Sequence, residues 1–395
     1  MPTLSPDLEF ARFCPILGVV QKVRDMQQPV IDLGVGVPGF LPAPHIVEAA
    51  VKAACEHSGG YGSSQGDAAL LAAYLGYLHG QGFDFYSTKN LVAGLGAKHL
   101  LFSVLRAIIQ PGDEILVATP CWPTYFDIAD LVGAGVANVV CTAHTGYKMT
   151  AQALEAALSP RVRVVMLNSP GNPTGAVYTA QELEALAVVL RKKDVWIISD
   201  DVYQRFVYDI PDCPNLLTVA PDLRERIIKI DSVSKIYGMP GWRVGLLAAS
   251  ERIATAVTTL NSNSISNLPP IPAAAAAAAF KGDQGFSFAA KERLATQRQA
   301  LLEVLQDAPH LKFCAPQGAF YLFMDISQTL GKSLRGKVIT DDEAFCSLLL
   351  DEYGVALIPG SFFGALGHAR LSYSGAAEQV SAGAVRIREC LTAIE

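Results

Sequence analysis

Apolar residues recur with two spacings along most of this 395-residue chain. Between residues 65 and 280, apolar positions three and four apart predict helices, and these alternate with short runs of Val, Ile and Leu that predict strands. Runs such as 162–167 are almost wholly apolar, which is typical of parallel strands covered on both faces. We therefore expect an α/β fold with a mainly parallel sheet flanked by helices. The predicted helices are 45–57, 67–80, 97–110, 123–134, 150–158, 179–193 and 251–262, and the predicted strands are 114–119, 136–142, 162–168, 195–199, 227–233 and 244–248.

The alternation changes after a long predicted helix at 285–307. Strand patterns and helix patterns are then interleaved, which indicates a smaller α+β domain. Residues 1–44 show no periodic pattern and are expected to be irregular and to join this smaller domain. The predicted division is a large domain at 45–280 and a small domain made of 1–44 and 281–395. The later strand patterns are 312–315, 319–325, 355–358 and 369–373, and the later helix patterns are 341–353 and 377–393.

Charge and composition exclude several classes of function. The net charge is −6 and no basic run is present, which argues against nucleic acid as the main partner. The eight cysteines form no CxxC pair and the seven histidines form no HxH or HExxH spacing, so we expect no metal site and no disulfide framework. Free thiols fit a reducing cytoplasm. The longest near-apolar stretch, 268–280, is too short to span a membrane.

The segment Gly-Val-Gly-Val-Pro-Gly at 34–39 matches the GxGxxG pattern of dinucleotide-binding loops. Such a loop must open a helix inside a βαβ unit. Pro38 and Pro42 interrupt the stretch where that helix would begin, so we reject this interpretation. The glycines remain a place where backbone can approach a ligand closely.

Polar residues follow three of the predicted strands, at 168–175, 200–203 and 232–235. Ligands of open α/β sheets bind at the carboxyl ends of strands. The three stretches supply an amide, a carboxylate with a tyrosine, and a lysine with serines. A lysine that forms an imine, an acid that keeps a ring nitrogen protonated and donors for a phenolic oxygen together suit a phosphorylated aromatic aldehyde. The set predicts a site for pyridoxal 5'-phosphate.

The order of eight motifs resembles that of the class I/II aminotransferases, which are fold-type I pyridoxal-phosphate enzymes of the aspartate aminotransferase superfamily. The resemblance covers about residues 31–373. It implies the large domain with a mainly parallel sheet and the smaller α+β domain described above. The motifs are Gly-Ala-Lys (96–98), Pro-Cys-Trp (120–122), Asn-Pro-Thr-Gly (172–175), Asp-Asp-Val-Tyr (200–203), Ser-Val-Ser-Lys (232–235), Gly-Trp-Arg (241–243), Pro-Gly-Ser-Phe-Phe-Gly (359–364) and Arg-Leu-Ser-Tyr (370–373).

The resemblance implies catalytic roles for Lys235, Asp200 and Tyr203. Lys235 would hold the cofactor through an imine and then move a proton during catalysis. Asp200 would pair with the ring nitrogen, while Asn172 and Tyr203 would donate hydrogen bonds to the phenolic oxygen and lower the pKa of the imine. Local sequence leaves open a helix N-cap for Asp200 and a turn position for Asn172. Asp201 is expected to cap a helix or to face solvent.

The resemblance also implies how the cofactor's phosphate and ring are held. The start of the helix after Leu91 would supply backbone N–H groups, and a cation and hydroxyls would complete the phosphate site. Trp122 would stack on the ring, although the sequence alone equally allows a core tryptophan. The cofactor-binding residues so implied, besides those above, are Gly96, Ala97, Lys98, Trp122, Ser232, Ser234 and Arg243.

Substrate contacts follow from the same resemblance. Arg370 would clamp the α-carboxylate as a fork, together with Gly36, Trp122 and Asn172. Tyr61 would reach the phosphate of a partner chain, which implies a homodimer with shared active sites. Lys98 lies where some relatives place a lysine near the distal carboxylate of acidic substrates, but an exposed lysine in the first helical turn explains it equally well. Apolar residues near the N-terminal mouth would also admit a substrate with an apolar or aromatic side chain; these residues are Phe10, Phe13, Ile16, Leu17 and Phe40.

The resemblance also implies that an arginine from the partner chain, which some aspartate enzymes of the family use, would stand in the segment 261–272. This segment contains no arginine, which weakens a strict assignment to dicarboxylates. The expected activity is amino transfer from an L-amino acid to a 2-oxo acid by a ping-pong mechanism, of the aspartate, aromatic or broad-specificity type. A C–S β-lyase on the same fold is the alternative, because the motifs do not separate the two. A transcription regulator is disfavoured, since no basic helix-turn-helix region is present.

Overall fold

A seven-stranded sheet forms the centre of the molecule in a computed structural model that describes residues 15–56 and 59–395. Its strand order is β2-β8-β7-β6-β5-β3-β4. Strand β8 runs antiparallel to both of its neighbours, and the pairs among β3 to β7 are parallel. The mainly parallel sheet predicted from the apolar runs is confirmed. The strands are β2 (Leu91–Gly94), β3 (Glu114–Thr119), β4 (Gly135–Val140), β5 (Val162–Asn168), β6 (Trp196–Asp200), β7 (Ile227–Ser232) and β8 (Gly245–Ala248).

Alternate residues of these strands enter two different apolar clusters, one on each face of the sheet. Leu116 and Ile197 belong to one cluster, and Ile115 and Ile198 belong to the other. Successive side chains of a strand point to opposite faces, so a strand buried on both faces needs apolar residues at nearly every position. This is why the parallel strands are continuous apolar runs in the sequence.

Helices cover both faces of the sheet, and several have sequence-encoded starts. Asp67 accepts a hydrogen bond of 2.9 Å from Leu70 N, and Thr179 with Glu182 forms a capping box. These caps satisfy backbone N–H groups that have no partner within the helix. The helices of this part are α1 (Pro15–Asp25), α2 (Pro44–Glu56), α3 (Ala68–His79), α4 (Ala97–Ile108), α5 (Thr124–Leu131), α6 (Ala151–Ala157), α7 (Ala180–Arg191), α8 (Leu216–Val219), α9 (Val233–Ile236), α10 (Glu251–Ser264) and α11 (Pro270–Lys281).

A second layer follows α12 (Gly285–Leu305), whose buried side chains join a separate apolar cluster. Its four-stranded antiparallel sheet has the order β14-β15-β10-β9. Strand β1 (Ile31–Asp32) pairs in parallel with β13, which brings the N-terminal segment into this layer. The division at 44/45 and 280/281 stays a prediction. The remaining elements are β9 (Lys312–Phe313), β10 (Tyr321–Asp325), β11 (Ser333–Leu334), β12 (Lys337–Val338), α13 (Asp342–Tyr353), β13 (Val355–Ala356), β14 (Ile358–Pro359), β15 (His368–Ser372) and α14 (Ala377–Thr392).

Two sequence-based expectations about elements are wrong. Residues 15–25 form the helix α1, although 1–44 was expected to be irregular; α1 has no fully buried residue, and its Ile16 and Val19 pack on a small apolar cluster from distant elements. The predicted strand at 355–358 is two short strands, because the chain changes partner from β1 to β15 at Leu357. Helix α2 ends at Glu56, and residue 57 of its predicted span lies outside the described residues. Within 15–56 and 59–395, no helix is long and apolar enough to cross a membrane.

Candidate active site

A cavity of about 600 Å³ opens at the carboxyl edge of the central sheet. It lies there because β5, β6 and β7 are parallel neighbours, so their carboxyl ends meet at one edge and Asn168 pairs in register with Asp200. Two predicted site residues do not line this cavity: Gly96, which directly precedes the lining residue Ala97, and Tyr61, which lies elsewhere. The predicted site residues that line the cavity are Gly36, Ala97, Lys98, Trp122, Asn172, Asp200, Tyr203, Ser232, Ser234, Lys235, Arg243 and Arg370.

Lys235 lies in α9, the single helical turn directly after β7. Ser232 caps this turn by accepting a hydrogen bond from Ser234 N, which directs the following lysine into the cavity. The half-buried Lys235 donates a hydrogen bond from Nζ to the backbone oxygen of Gly36. Burial, followed by repulsion from Arg370 and Arg243, lowers the pKa of Lys235 to about 8. With a pKa near 8, about one tenth of the amine is neutral at pH 7 and about half at pH 8, and the neutral amine is the nucleophile.

Asp200 ends β6 and is buried at the cavity wall. Tyr125 donates a hydrogen bond of 2.7 Å to its Oδ2. Burial raises the pKa of Asp200 to about 6, although the hydrogen bond from Tyr125 favours the carboxylate. A cation placed beside this carboxylate would be held in a low-dielectric setting, where charge pairing is strong.

Asp201 does not cap a helix or face solvent, so that expectation is wrong. It is buried, and its Oδ2 accepts hydrogen bonds from Lys229 Nζ at 2.5 Å and Asn215 Nδ2 at 2.7 Å. Consecutive residues at the end of a strand point to opposite faces. Asp200 therefore faces the cavity, while Asp201 enters a buried ion network with Lys229 and Asp231.

Two amides and two tyrosines form the wall beside Asp200. Asn168 donates from Nδ2 to the backbone oxygen of Asp200 at 2.8 Å, and its Oδ1 accepts from Asn172 N at 2.9 Å. These bonds fix the turn that carries Asn172. The Tyr203 hydroxyl lies 2.7 Å from the hydroxyl of Tyr321. Burial raises the pKa of Tyr203 well above its usual value, so this phenol stays a proton donor at neutral pH.

A cradle for an anion lies at the start of α4. Gly96 precedes that helix with φ of 86°, a conformation that favours glycine, and it supplies no side-chain cap for the first N–H groups. A Cβ at Gly96 would collide with the guanidinium of Arg243, which lies directly against this turn. The hydroxyls of Ser232 and Ser234 are 2.8 Å apart and line the same cavity as Arg243. Within 15–56 and 59–395, no carboxylate pairs with Arg243, so its charge is available to a bound anion.

Arg370 is buried in β15 and has no carboxylate partner in the part of the chain that the structure describes. Nη1 donates to Asn172 Oδ1 at 2.9 Å, and Nη2 donates to the Gly34 backbone oxygen at 2.5 Å. Among the described residues, none offers a hydrogen-bond acceptor to its Nε. The guanidinium carbon lies 4.6 Å from the ring centroid of Tyr321 and 4.9 Å from that of Phe363. A buried cation with an unused donor is suited to a ligand carboxylate.

The mouth of the cavity combines one exposed cation with apolar surface. Lys98 Nζ lies 5.0 Å from the ring centroid of the half-buried Trp122, and Ile16 and Leu17 of α1 line the same opening. Phe40 packs edge-on against Phe206 and does not line the cavity. Phe10 and Phe13, which the sequence also placed near the mouth, lie outside the described residues.

Tyr61 is the predicted site residue that a single chain does not bring to the cavity. Its side chain is 94% exposed. It lines a different opening of about 570 Å³, together with Asn267 and Pro270. No contact with the phosphate cradle is made within one chain.

Sequence reasoning missed two tyrosines of the site, Tyr125 and Tyr321. Tyr125 stands in α5, three residues after Trp122, and its hydroxyl holds Asp200. Tyr321 stands in β10, where an aromatic residue is expected from strand propensity alone. Neither position carries a polar pattern that separates it from core aromatics. Within 15–56 and 59–395, no cluster of residues suited to a metal ion is present.

Comparisons with known proteins agree with this geometry. A family model described as aminotransferase class I and II matches residues 28–387. The aspartate/prephenate aminotransferase of Cereibacter sphaeroides is 36% identical over 393 residues, covering 98% of this chain and 98% of that protein. The aspartate aminotransferase of Streptomyces avermitilis is 34% identical over 370 residues, covering 92% of this chain and 90% of that protein.

Solved structures are similar over the whole chain. The aspartate aminotransferase of Rhizobium meliloti has a TM-score of 0.95 at 32% identity, covering 100% of both chains. That of Thermus thermophilus, solved with maleate, has a TM-score of 0.91 at 28% identity, covering 99% of this chain and 100% of the other. The central sheet and the second layer described above are thus those of a known fold.

Proposed function

The chain belongs to the class I and II aminotransferase family and is an aminotransferase, and from this premise we propose that it transfers the amino group of aspartate and related L-amino acids to a 2-oxo acid by means of bound pyridoxal 5'-phosphate. The family is pyridoxal-phosphate-dependent. The observation that carries the proposal is the placement of Lys235, with its lowered pKa, in one cavity with Asp200 and an anion cradle. The C–S β-lyase alternative receives no support from the relatives, which are named as aminotransferases.

The residues present fit this cofactor at each of its polar ends. The phosphate would be held by the first N–H groups of α4 after Gly96 and Ala97, by the hydroxyls of Ser232 and Ser234, and by Arg243. The unpaired charge of Arg243 and the uncapped helix start support that placement. Asp200, buried and anchored by Tyr125, would pair with the protonated ring nitrogen.

When bound, the cofactor supplies two things: an aldehyde that reacts with amines, and a ring that withdraws electrons. Lys235 contributes an amine that burial keeps partly neutral, so it can accept a proton from the substrate Cα and return one. Tyr203 and Asn172 would donate hydrogen bonds to the phenolic oxygen. Trp122 would cover the ring face and exclude water.

Arg370 would orient the substrate by binding its α-carboxylate. Its guanidinium is already fixed by Asn172 and by the Gly34 backbone, so little side-chain entropy is lost when substrate arrives. Gly36 would lie beside the same carboxylate, since it lines the cavity together with Arg370. A Cβ at this position would collide with the hydroxyl of Tyr321, so the backbone can take this place only as glycine. This arrangement recognises a group common to all amino acids and selects none of them.

Selection among amino acids would occur at the mouth. The exposed ammonium of Lys98 suits the distal carboxylate of aspartate, which agrees with the names of the relatives. Ile16 and Leu17 present apolar surface to the same opening and suit a larger, apolar or aromatic side chain. We therefore propose two kinds of donor, one acidic and one apolar or aromatic.

We further propose a cytoplasmic homodimer in which Tyr61 of each chain completes the partner's phosphate site. The exposed phenol of Tyr61 supports this proposal, because within one chain it lies outside the cavity and does not reach the phosphate site. Mixing two inactive variants tests the idea. Lys235→Ala retains Tyr61 and Tyr61→Ala retains Lys235, so mixed dimers would contain one site with both residues. Regained activity on mixing would support shared sites, and none would contradict them.

The donor specificity and the cofactor can be tested in one half-reaction. Purified enzyme loaded with pyridoxal 5'-phosphate is mixed with single amino acids, and the cofactor's absorbance is followed without any oxo acid. We expect aspartate to convert the cofactor to its amine form in a single turnover, and added 2-oxoglutarate to restore the original spectrum. The Lys235→Ala protein should show almost no conversion. Continuous release of ammonia from one amino acid alone would instead indicate a lyase.

A further inference from the structure

Tyr321 connects two parts of the cavity that serve different tasks. It is 1% exposed and stands at the start of β10. Its hydroxyl lies 2.7 Å from that of Tyr203, and the guanidinium carbon of Arg370 lies 4.6 Å from its ring centroid. We propose that Tyr321 is a positioning residue, whose hydroxyl directs the proton of Tyr203 to the cofactor while its ring holds Arg370 for the substrate carboxylate. This inference rests on the proposed function.

The position of Tyr321 is fixed from several sides. In the antiparallel pair of β10 and β15, Tyr321 lies opposite Ser372, and Arg370 lies opposite Phe323. Tyr321 and Arg370 are therefore diagonal neighbours, within reach of long side chains. The rings of Tyr203 and Tyr321 meet edge to face, with centroids 5.7 Å apart and planes at 80°. The backbone of Gly36 also packs against the Tyr321 hydroxyl, so closely that a Cβ at Gly36 would collide with it.

The bound cofactor would decide which of the two tyrosines donates the hydrogen bond between their hydroxyls. A phenol has one proton to donate, and either tyrosine could be the donor to the other. If Tyr203 gives its proton to the cofactor's phenolic oxygen, Tyr321 must donate to Tyr203. A hydroxyl that accepts a hydrogen bond is a stronger donor itself, because the bonds of a chain polarise one another. Tyr321 would thus strengthen the bond by which Tyr203 stabilises the negative phenolic oxygen.

The ring contact acts separately on Arg370. The guanidinium carbon lies over the ring of Tyr321, 4.6 Å from its centroid, and over that of Phe363, at 4.9 Å. Aromatic faces attract cations and offer them no hydrogen bond, so the ring restrains Arg370 without using its donors. The free Nε remains available for a carboxylate. Removing only the hydroxyl should therefore disturb the cofactor, and removing the ring should disturb substrate binding as well.

Tyr321→Phe tests the hydroxyl. Without it the bond from Tyr203 weakens, so the phenolic oxygen is less stabilised and the lysine–cofactor linkage holds its proton to higher pH. We expect the pKa of that linkage, titrated by absorbance without substrate, to rise by about 0.5 to 1 unit. The KM for the amino donor should change less than twofold. The matched control is Tyr208→Phe, which removes a buried hydroxyl that donates to the Ala319 backbone outside the cavity and should not shift the titration.

Two further variants decide whether Tyr321 acts as proposed. In a Tyr203→Phe background, Tyr321→Phe should add almost no further shift, because its effect passes through Tyr203. Tyr321→Leu should shift the linkage pKa as Tyr321→Phe does and should also raise the KM several-fold. An unchanged linkage pKa, or an equal shift with and without Tyr203, would overturn this inference while leaving the proposed function intact. A wild-type protein without cofactor absorbance would overturn both.

Discussion

Arg370 donates a hydrogen bond of 2.9 Å from Nη1 to Oδ1 of Asn172, a residue 198 positions away in the chain. The residue proposed to bind the substrate carboxylate thus touches the residue proposed to contact the cofactor's phenolic oxygen. Both side chains are buried although they line the cavity, so the hydrogen bond lies in a setting of low dielectric and fixes their relative position. The side chain proposed to orient the substrate and the side chain proposed to contact the cofactor are therefore held together by one hydrogen bond.

Arg370→Lys should impair every amino donor. Lysine keeps the charge but cannot contact Asn172, Gly34 and a carboxylate as a planar fork. Hydrogen bonds to charged groups contribute about 1.5–3 kcal/mol each, so we expect kcat/KM to fall tenfold or more, for apolar and acidic donors alike. Steady-state kinetics with aspartate and one apolar donor measures this. Arg298→Lys is a suitable control, because Arg298 also contacts backbone but lies outside the cavity; a loss confined to aspartate would argue against the assignment.

Cofactor capture by the cofactor-free protein should depend on the charge of Lys235. Its pKa is lowered from 10.5 to about 8, and only the neutral amine attacks an aldehyde. The rate of linkage formation should therefore be low at pH 6, rise through a midpoint near pH 8 and level off above it. Rapid mixing with pyridoxal 5'-phosphate, followed by absorbance, measures the profile.

The charge of Arg370 offers a control for that profile. Repulsion from Arg370 is the largest charge effect that lowers the pKa of Lys235, after burial itself. Arg370→Met should therefore move the midpoint to higher pH. A midpoint at the ordinary lysine value in the wild-type protein, or one that does not respond to Arg370→Met, would contradict the electrostatic account.

Lys98→Ala should reduce activity toward acidic donors selectively. Its ammonium stands at the mouth over Trp122, where a distal carboxylate could reach it. We expect kcat/KM for aspartate to fall about tenfold and that for a leucine or phenylalanine donor to change little. Lys89→Ala, in an exposed turn that does not line the cavity, is the matched control. Equal losses for acidic and apolar donors would return Lys98 to an ordinary surface position.

Lys229→Met should destabilise the protein strongly. Burial alone would lower the pKa of Lys229, but Asp201 and Asp231 outweigh it and hold that pKa above the usual value, so the lysine is charged. Its Nζ lies 2.5 Å from Asp201 and 3.2 Å from Asp231. Removing it leaves two buried carboxylates without a cation, and breaking such a pair costs about 3–5 kcal/mol.

The midpoint of urea unfolding, followed by circular dichroism, measures this loss. The triple change Lys229→Met, Asp201→Asn and Asp231→Asn removes all three charges and should recover part of the stability. If Lys229→Met alone leaves the midpoint unchanged, the network contributes little to the fold.

The sequence by itself determined most of the central sheet and its helices. A continuous apolar run such as 162–167 suits only a strand that is covered on both faces. An amphipathic helix such as α4 has one apolar side to bury. It also placed Lys235, Asp200 and Asn172 after strands whose parallel pairing brings their ends together. These signals are local, because each element's own pattern records which of its faces is buried.

The tertiary structure alone decided which distant residues meet. Tyr203 and Tyr321 are 118 positions apart, and nothing in the local pattern around Tyr321 distinguishes it from a core aromatic or pairs it with Tyr203. The buried pairing of Asp201 with Lys229 and the helix at 15–25 depend in the same way on partners supplied by other elements. Burial and hydrogen bonding at such points are set by packing across the fold, whereas the order of apolar and polar residues reports only which side of each element faces inward.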